Sequence, residues 1–409
     1  MFQEITFTPA SATDVASFSR SKSKQKRQIV FRLGELFCGP GGLAYGAKNA
    51  KVVSRFGSEY SIGHAWATDY DPSACKTFAH NICAGDSSSV VCVDIRKLDL
   101  NRLKSISNVD ALAFGFPCND FSAVGEQKGV HGTFGPLYHY CVKALEFFQP
   151  QWFLAENVGG LQSANDGKAF SKIMKSLFDT GYSLYPHYYS FDKYGVPQAR
   201  QRIIIVGIRK DINVQFKIPS PGPYRDVDVS ARTALEVPPI TDDVPNNEKT
   251  KHSPSVVERL KHIMPGENAF TAKLPPHLKL NVRGAKISQI YKRLVPDRPA
   301  YTVTGSGGGG THMYHWQENR ALTNRERARL QTFPDAFEFI GSKEEVRKQI
   351  GMAVPCRGAQ VIFEAILKTF AGIEYQEVPS KFPPLLHSKL DRYEAESIEQ
   401  LLLVYEKGV

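Results

Sequence analysis

GELFCGPGGLAYGAK, residues 34–48, runs from the end of an apolar strand through a glycine-rich turn into the start of a helix. Glycines at such a turn let backbone approach a ligand closely, and the helix N-terminus beyond is electropositive. Taken alone the turn fits a dinucleotide, S-adenosylmethionine (SAM), or merely a tight connection.

Outward from this turn, short apolar runs alternate with longer amphipathic stretches. The runs are IVFRLGELF (29–37), HAWATD (64–69), VVCVDI (90–95), DALAFGF (110–116), WFLAENV (152–158) and RIIIVGI (202–208). PLYHYCVKALEFFQ (136–149) and GKAFSKIMKSLFDTGY (167–182) read as helices between them. Alternation of this kind, with strands apolar on both faces, predicts a parallel, doubly wound α/β sheet over residues 30–215. SLYPHYYSF (183–191) and QARQRIIIVGIR (198–209) read as neighbouring strands near its far edge.

The remainder divides by composition. Residues 1–29 form a polar, basic extension ending in SKSKQKRQ, which reads as a solvated tail. Residues 216–348 read as a smaller, irregular domain, loop-rich to about 315 (PSPGPYRDVD, EVPPITDDVPNNEK, GSGGGGTH) and helical again in LTNRERARLQTF. Residues 349–375, containing AVPCRGAQVIFEAILKTFAG, return to the large domain, and 376–409 form a helical extension with no assigned role.

A net charge of +10 suits a polyanionic partner. No run of 18 apolar residues and no apolar N-terminal segment exists, so a cytoplasmic protein is expected. Seven cysteines without a C-x-x-C pair point to reduced thiols and away from a zinc site or redox dithiol.

One cysteine stands apart. GFPCNDFS (115–122) places Cys118 in a loop at the carboxyl end of a parallel strand, where sites in open α/β sheets gather. Pro117 stiffens the turn before it, and the glycine-rich stretch AVGEQKGVHGTFGP beyond suits a loop that closes over a substrate. WFLAENV sets Glu156 and Asn157 at the next strand end, and YGVPQARQR (194–202) brings Gln198, Arg200 and Arg202 into another, the two arginines at alternate positions. Asp69 and Asp94 end the second and third strands, where acids would meet a ribose and an adenine amino group. Each acid also has a bland reading as a helix N-cap, and the arginines as a solvated strand face.

Eight blocks in order, ELFCGPGG, ATDYD, CVDI, GFPCNDFS, AENV, VPQARQR, NRALTNRERARLQTFPDAF and QIGMAVP, resemble the DNA cytosine-5 methyltransferase family of the bacterial and phage restriction–modification type. The resemblance covers nearly all of residues 30–370. It implies that Phe37, Gly39, Gly41, Gly42 and Gly115 shape a SAM pocket. Asp69 would hold the ribose, Tyr70 would pack on the adenine, and Asp94 and Ile95 would complete the base pocket. Cys118 would be the nucleophile beside Pro117. Glu156 would grip the ring nitrogen and amino group of a flipped cytosine, Arg202 would reach its carbonyl oxygen, and Asn157 and Arg200 would complete the catalytic set. Ser122, Gln198, Thr302 and Thr304 are the implied DNA contacts.

The family resemblance further implies a monomer acting on double-stranded DNA, with no metal and with a cognate restriction endonuclease as functional partner. The chain departs from the family's pattern at Glu35, where aspartate is common, at Asn119, where glutamine is, and at Met352, where most members carry asparagine. Three other classes compete: an RNA cytosine methyltransferase, an inactive DNA-binding homologue, and a nucleotide-dependent oxidoreductase. The oxidoreductase has no need of GFPCNDFS and AENV.

Overall fold

The computed structural model describes residues 27–117, 137–163, 167–281, 288–305, 309–387 and 402–405. The first half runs β1 (Gln28–Leu36), α1 (Gly42–Asn49), β2 (Lys51–Val53), β3 (Glu59–Asp69), α2 (Pro72–Ile82), β4 (Val90–Cys92), α3 (Leu100–Ile106) and β5 (Ala111–Gly115). Then follow α4 (Tyr138–Phe148), β6 (Trp152–Val158), α5 (Lys168–Asp179), β7 (Tyr182–Ser190), β8 (Gln198–Ala199) and β9 (Gln201–Arg209). Short helices α6 (Ala231–Glu236) and α7 (Pro254–Lys261), β10 (Ala300–Tyr301), α8 (Asn324–Leu330), α9 (Lys343–Met352) and α10 (Cys356–Ala371) complete the order.

Among the described residues eight strands form one sheet, in the order β2-β3-β1-β5-β6-β9-β7 with β4 also paired to β3. β4, β3, β1, β5 and β6 run parallel, as the strand–helix alternation predicts. The wholly parallel expectation is corrected at both ends. β2 is antiparallel to β3, and β9 is antiparallel to both β6 and β7. The chain between β7 and β9 holds a 3-10 turn and the two residues of β8, too little for the crossover helix that a parallel return requires. This reversal sets the start of β9 beside the end of β6, with Val158 opposite Arg202.

Strand periodicity divides the core between two faces. Phe153 and Ala155 of β6 join Leu112 and Phe114 of β5 beneath α4 and α5, while Trp152 and Leu154 face α1 and α10. The C-terminal stretch covers the outer edge of this sheet: Leu184 of β7 and Leu385 exchange backbone hydrogen bonds, and Phe382 and Tyr405 pack on Phe170. An edge strand thereby gains a partner, which limits pairing with another chain. Between α6 and α9 the described residues contribute to two further clusters. Leu235, Leu330, Phe333, Phe337 and Ile350 pack with Ala44, Phe78 and Ile82, whereas Leu260, Ile263, Leu274, Tyr291 and Tyr314 form a small cluster of their own.

Helix starts are set by local chemistry. The Asp71 side chain accepts from the N–H groups of Ser73 and Ala74 at the head of α2, which opens on Pro72. Thr323 with Glu326 and Ser342 with Glu345 form reciprocal capping boxes on α8 and α9.

Two positions yield measurable consequences. Gly207 of β9 lies opposite Phe153, and a Cβ there would come within 2.0 Å of the ring. Gly207→Ala is expected to cost about 1–3 kcal/mol, as overpacking does; an unchanged urea midpoint would show that the ring moves aside freely.

Glu35 is 1% exposed, its Oε2 has no hydrogen-bond partner, and burial pushes its carboxyl up to about 8. Below its ordinary value of 4.5 the group is protonated in both folded and unfolded chains. Between that value and about 8 only the unfolded chain releases the proton, so stability falls as pH rises through this window. Glu35→Gln removes that slope and should gain stability over the parent at pH 8 relative to pH 5. An equal difference at both pH values would refute the assignment.

Candidate active site

The carboxyl ends of the parallel strands converge on a cavity of about 370 Å³, within the range of small-molecule sites. Phe37, Gly39 and Gly42 from the turn after β1 line it, together with Asp69 and Tyr70 after β3, and Asp94 and Ile95 after β4. Gly115 and Pro117 after β5 and Glu156 of β6 close one end, and Met352 of α9 another. Cys118 and Ser122 lie outside the described residues.

The glycine turn is built for close approach. Phe37 has φ 55°, a left-handed conformation uncommon for a bulky residue, and Gly41 has φ 101°. Gly39 donates its N–H to Asp69 Oδ2 at 2.9 Å, and Asp71 donates to Oδ1 at 2.9 Å. Burial pushes the Asp69 carboxyl up, and these two amides oppose the shift. Gly41 is not among the lining residues; it is the N-cap of α1, and its carbonyl accepts from Tyr45 at 2.8 Å. At Gly42 a Cβ would lie 2.3 Å from the Val354 carbonyl oxygen, so a side chain cannot be accommodated.

Tyr70 is 60% exposed at the cavity mouth. Lys348 of α9 donates to its hydroxyl at 3.3 Å and to Asp71 Oδ2 at 2.9 Å, tying α9 to the turn after β3. Asp94 both caps the short turn Ile95–Lys97 and receives Arg96, whose hydrogen bonds hold its carboxyl down at about 2.

At the other end Glu156 and Arg202 meet: Arg202 Nε lies 2.8 Å from Glu156 Oε1, both side chains 13% exposed. Asn157 points the opposite way along the strand. Its Nδ2 donates to the Phe116 carbonyl at 3.2 Å and so holds the backbone that leads into Pro117.

Arg200 and Gln198 differ from what their neighbours in sequence suggest. Arg200 is 1% exposed and donates to the carbonyls of Val303 at 3.0 Å and Gly351 at 3.1 Å, and burial pushes its pKa down. It does not line the cavity, unlike Glu156. Gln198 is fully buried. Its Oε1 accepts from Val303 N–H, and its Nε2 donates to Leu330 O and Gln331 Oε1. Both ends of this amide are therefore occupied by protein. Thr302 donates to Ala199 O at 2.9 Å, and the backbone of Thr304 and Gly305 abuts Gly351, where a Cβ would lie 1.9 Å from Gly305 N.

Sequence reasoning missed Lys348, Arg96 and Gln331. Gln331 donates to Ile350 O at 2.8 Å and Ala353 O at 3.2 Å, anchoring the chain around Met352. Nothing in the local pattern of these residues separates them from ordinary surface or helix positions.

Residues 31–368 match the family of C-5 cytosine-specific DNA methylases. The chain is 56% identical to the Type II methyltransferase M.BbvI of Brevibacillus brevis, across 91% of this chain and 98% of the relative. It is 38% identical to the Type II methyltransferase M.NgoFVII of Neisseria gonorrhoeae, across 90% and 92%. A prophage-encoded E. coli protein described as a DNA modification methyltransferase shares the fold at a TM-score of 0.63 and 21% identity, over 84% of this chain and 99% of that one. With the family pattern spanning most of its length, the chain belongs to the C-5 cytosine-specific DNA methylase family and is a DNA cytosine-5 methyltransferase.

Proposed function

We propose that the chain is the modification enzyme of a restriction–modification system. In this reading Cys118 attacks a cytosine flipped out of a short double-stranded site, while residues 216–348 read the surrounding sequence. The observation that carries it is the junction of two halves in one cavity. Gly39, Asp69, Tyr70 and Ile95 line one side, and Pro117 and Glu156, with Arg202 beside Glu156, stand on the other. Cys118 follows Pro117 directly in sequence.

The donor set fits SAM. An open face at Gly39, where an added Cβ would meet nothing within 4 Å, leaves room for a ligand, and a buried acid and an exposed aromatic follow at the next strand end. Asp69 would hold the ribose hydroxyls, Tyr70 would cover the adenine and Asp94 would meet its amino group. SAM supplies an electrophilic methyl group.

Carbon five of cytosine is too weak a nucleophile to take that methyl directly. The Cys118 thiolate adds to carbon six, forming a carbon–sulfur bond and pushing electron density to carbon five. A proton passed from Glu156 to the ring nitrogen neutralises the charge that develops there, and returns as the thiolate departs. Arg202 leaves its contact with Glu156 to reach the base carbonyl. After carbon five is methylated, water removes its proton, the electron pair re-forms the ring double bond, and the Cys118 thiolate departs. No metal takes part in this scheme. Asn157 and Arg200 act by position, the first through the Phe116 carbonyl and the second through Val303 and Gly351. Gln198 braces the same segment, and Ser122, Thr302 and Thr304 are the proposed contacts to DNA. The protein works as a monomer in the cytoplasm, beside an endonuclease of the same specificity.

Incubation with radiolabelled SAM and unmethylated DNA, followed by bisulfite sequencing, tests this. Label at one recurring cytosine context is expected; label on transfer RNA alone, or none, overturns it. Cys118→Ala should abolish transfer yet retain DNA binding, and residual turnover would remove the nucleophile. Glu156→Gln should slow transfer by roughly 10²–10⁴-fold, the usual weight of a general acid. An unaltered rate would assign ring protonation to another group.

A further inference from the structure

A second cavity, of about 310 Å³, lies between the turn around Lys249 and the helices α8 and α9. Five cations line it, Lys249, Lys251, Arg327, Lys343 and Arg347, against two carboxylates, Glu248 and Glu344. Arg327 is 2% exposed, and among the described residues no carboxylate comes within ion-pair distance of it. Its Nη2 lies 3.3 Å from His312 Nδ1. Burial lowers His312 to about 4 and Arg327 only to about 10, so at neutral pH the imidazole accepts from a charged guanidinium. Arg347 has a buried Nε with no hydrogen-bond partner among the described residues, and its nearest carboxylate, on the exposed Glu344, is 3.9 Å from Nη1.

Buried guanidinium groups left without acceptor oxygens are costly, and Arg320, Arg329 and Arg325 in this region all have them. Arg320 is held by Glu318 and Glu326, and Arg329 by Asp335. Arg325 donates to the carbonyls of Pro245, Pro334 and Phe337. Arg327 and Arg347 stand apart from this pattern, side by side and facing the same cavity. Two guanidinium forks match the several acceptor oxygens of one phosphate.

We propose that this cavity is an anion site that seats a phosphodiester of the DNA substrate. The inference rests on the reading above that residues 216–348 meet DNA. The helix that supplies Arg347 also supplies Gly351, against which the Thr304–Gly305 backbone rests, and His312 lies just beyond the glycine run 305–310. A phosphate held there would fix the register of the duplex under that run without carrying sequence information.

The test compares the full-length protein with Arg347→Gln and Lys251→Gln, binding a methylatable duplex and a scrambled one over a series of salt concentrations. Arg347→Gln is expected to weaken both duplexes by the same factor. It should also reduce the slope of log affinity against log salt by about 1, the signature of one lost phosphate contact. SAM binding, read by its thermal shift, serves as the folding control. A slope equal to the parent's in both variants overturns the site. So does a thermal shift with inorganic phosphate that Arg347→Gln abolishes while DNA binding stays intact, since the anion would then be free phosphate. A parent protein that transfers no methyl to DNA would instead sink the functional reading on which the site rests.

Discussion

The architecture depends on one buried cation. Arg200, at the entry to β9, reaches from the sheet to the Val303 and Gly351 carbonyls, and so joins the start of β9, the stretch that follows β10 and the end of α9 at a single point. A buried guanidinium with no carboxylate partner among the described residues is a poor choice for stability alone. Its value lies in its shape: a planar fork can satisfy two backbone carbonyls from different segments at once and fix their separation. Gln198 and Gln331 extend the arrangement, one serving Val303 and the other Ile350 and Ala353.

The same solution recurs where the chain lacks strands. Between the sheet and α8 many backbone carbonyls have no ladder partner, and a buried carbonyl left unpaired is costly. Arg293 donates to Leu260, His315 and Glu318, and Arg325 to Pro245, Pro334 and Phe337. These side chains hold irregular backbone in place without forming regular structure.

Much of this was legible in the sequence, and the reasons are physical. Strands buried on both faces read as apolar runs, so Asp69, Asp94 and Glu156 could be placed at strand ends and fall on one cavity. The glycine turn at 39–42 was legible because its positive φ values and close contacts admit few other residues. The antiparallel return of β9 was not, since direction leaves no mark on an apolar run. Nor was the inward course of Arg200 and Gln198, whose partners lie more than 100 residues away. Lys348 and Asp71 are separated by 277 positions, and only folding brings them together. The expectations at Cys118 and Ser122 rest on sequence alone.

The bare backbone contact at Gly351 has a metrological consequence. A helix end and the irregular stretch after β10 touch there with no side chain between them, so the gap is set by atomic radii and not by a rotamer that could relax. Met352, on the wall of the cavity at the strand ends, and Thr304, in the irregular stretch after β10, are thereby referenced to one rigid datum. Drift of the stretch after β10 would change its distance from the cavity wall only as far as that contact can be compressed. The spacing between that stretch and the cavity wall is built into the frame.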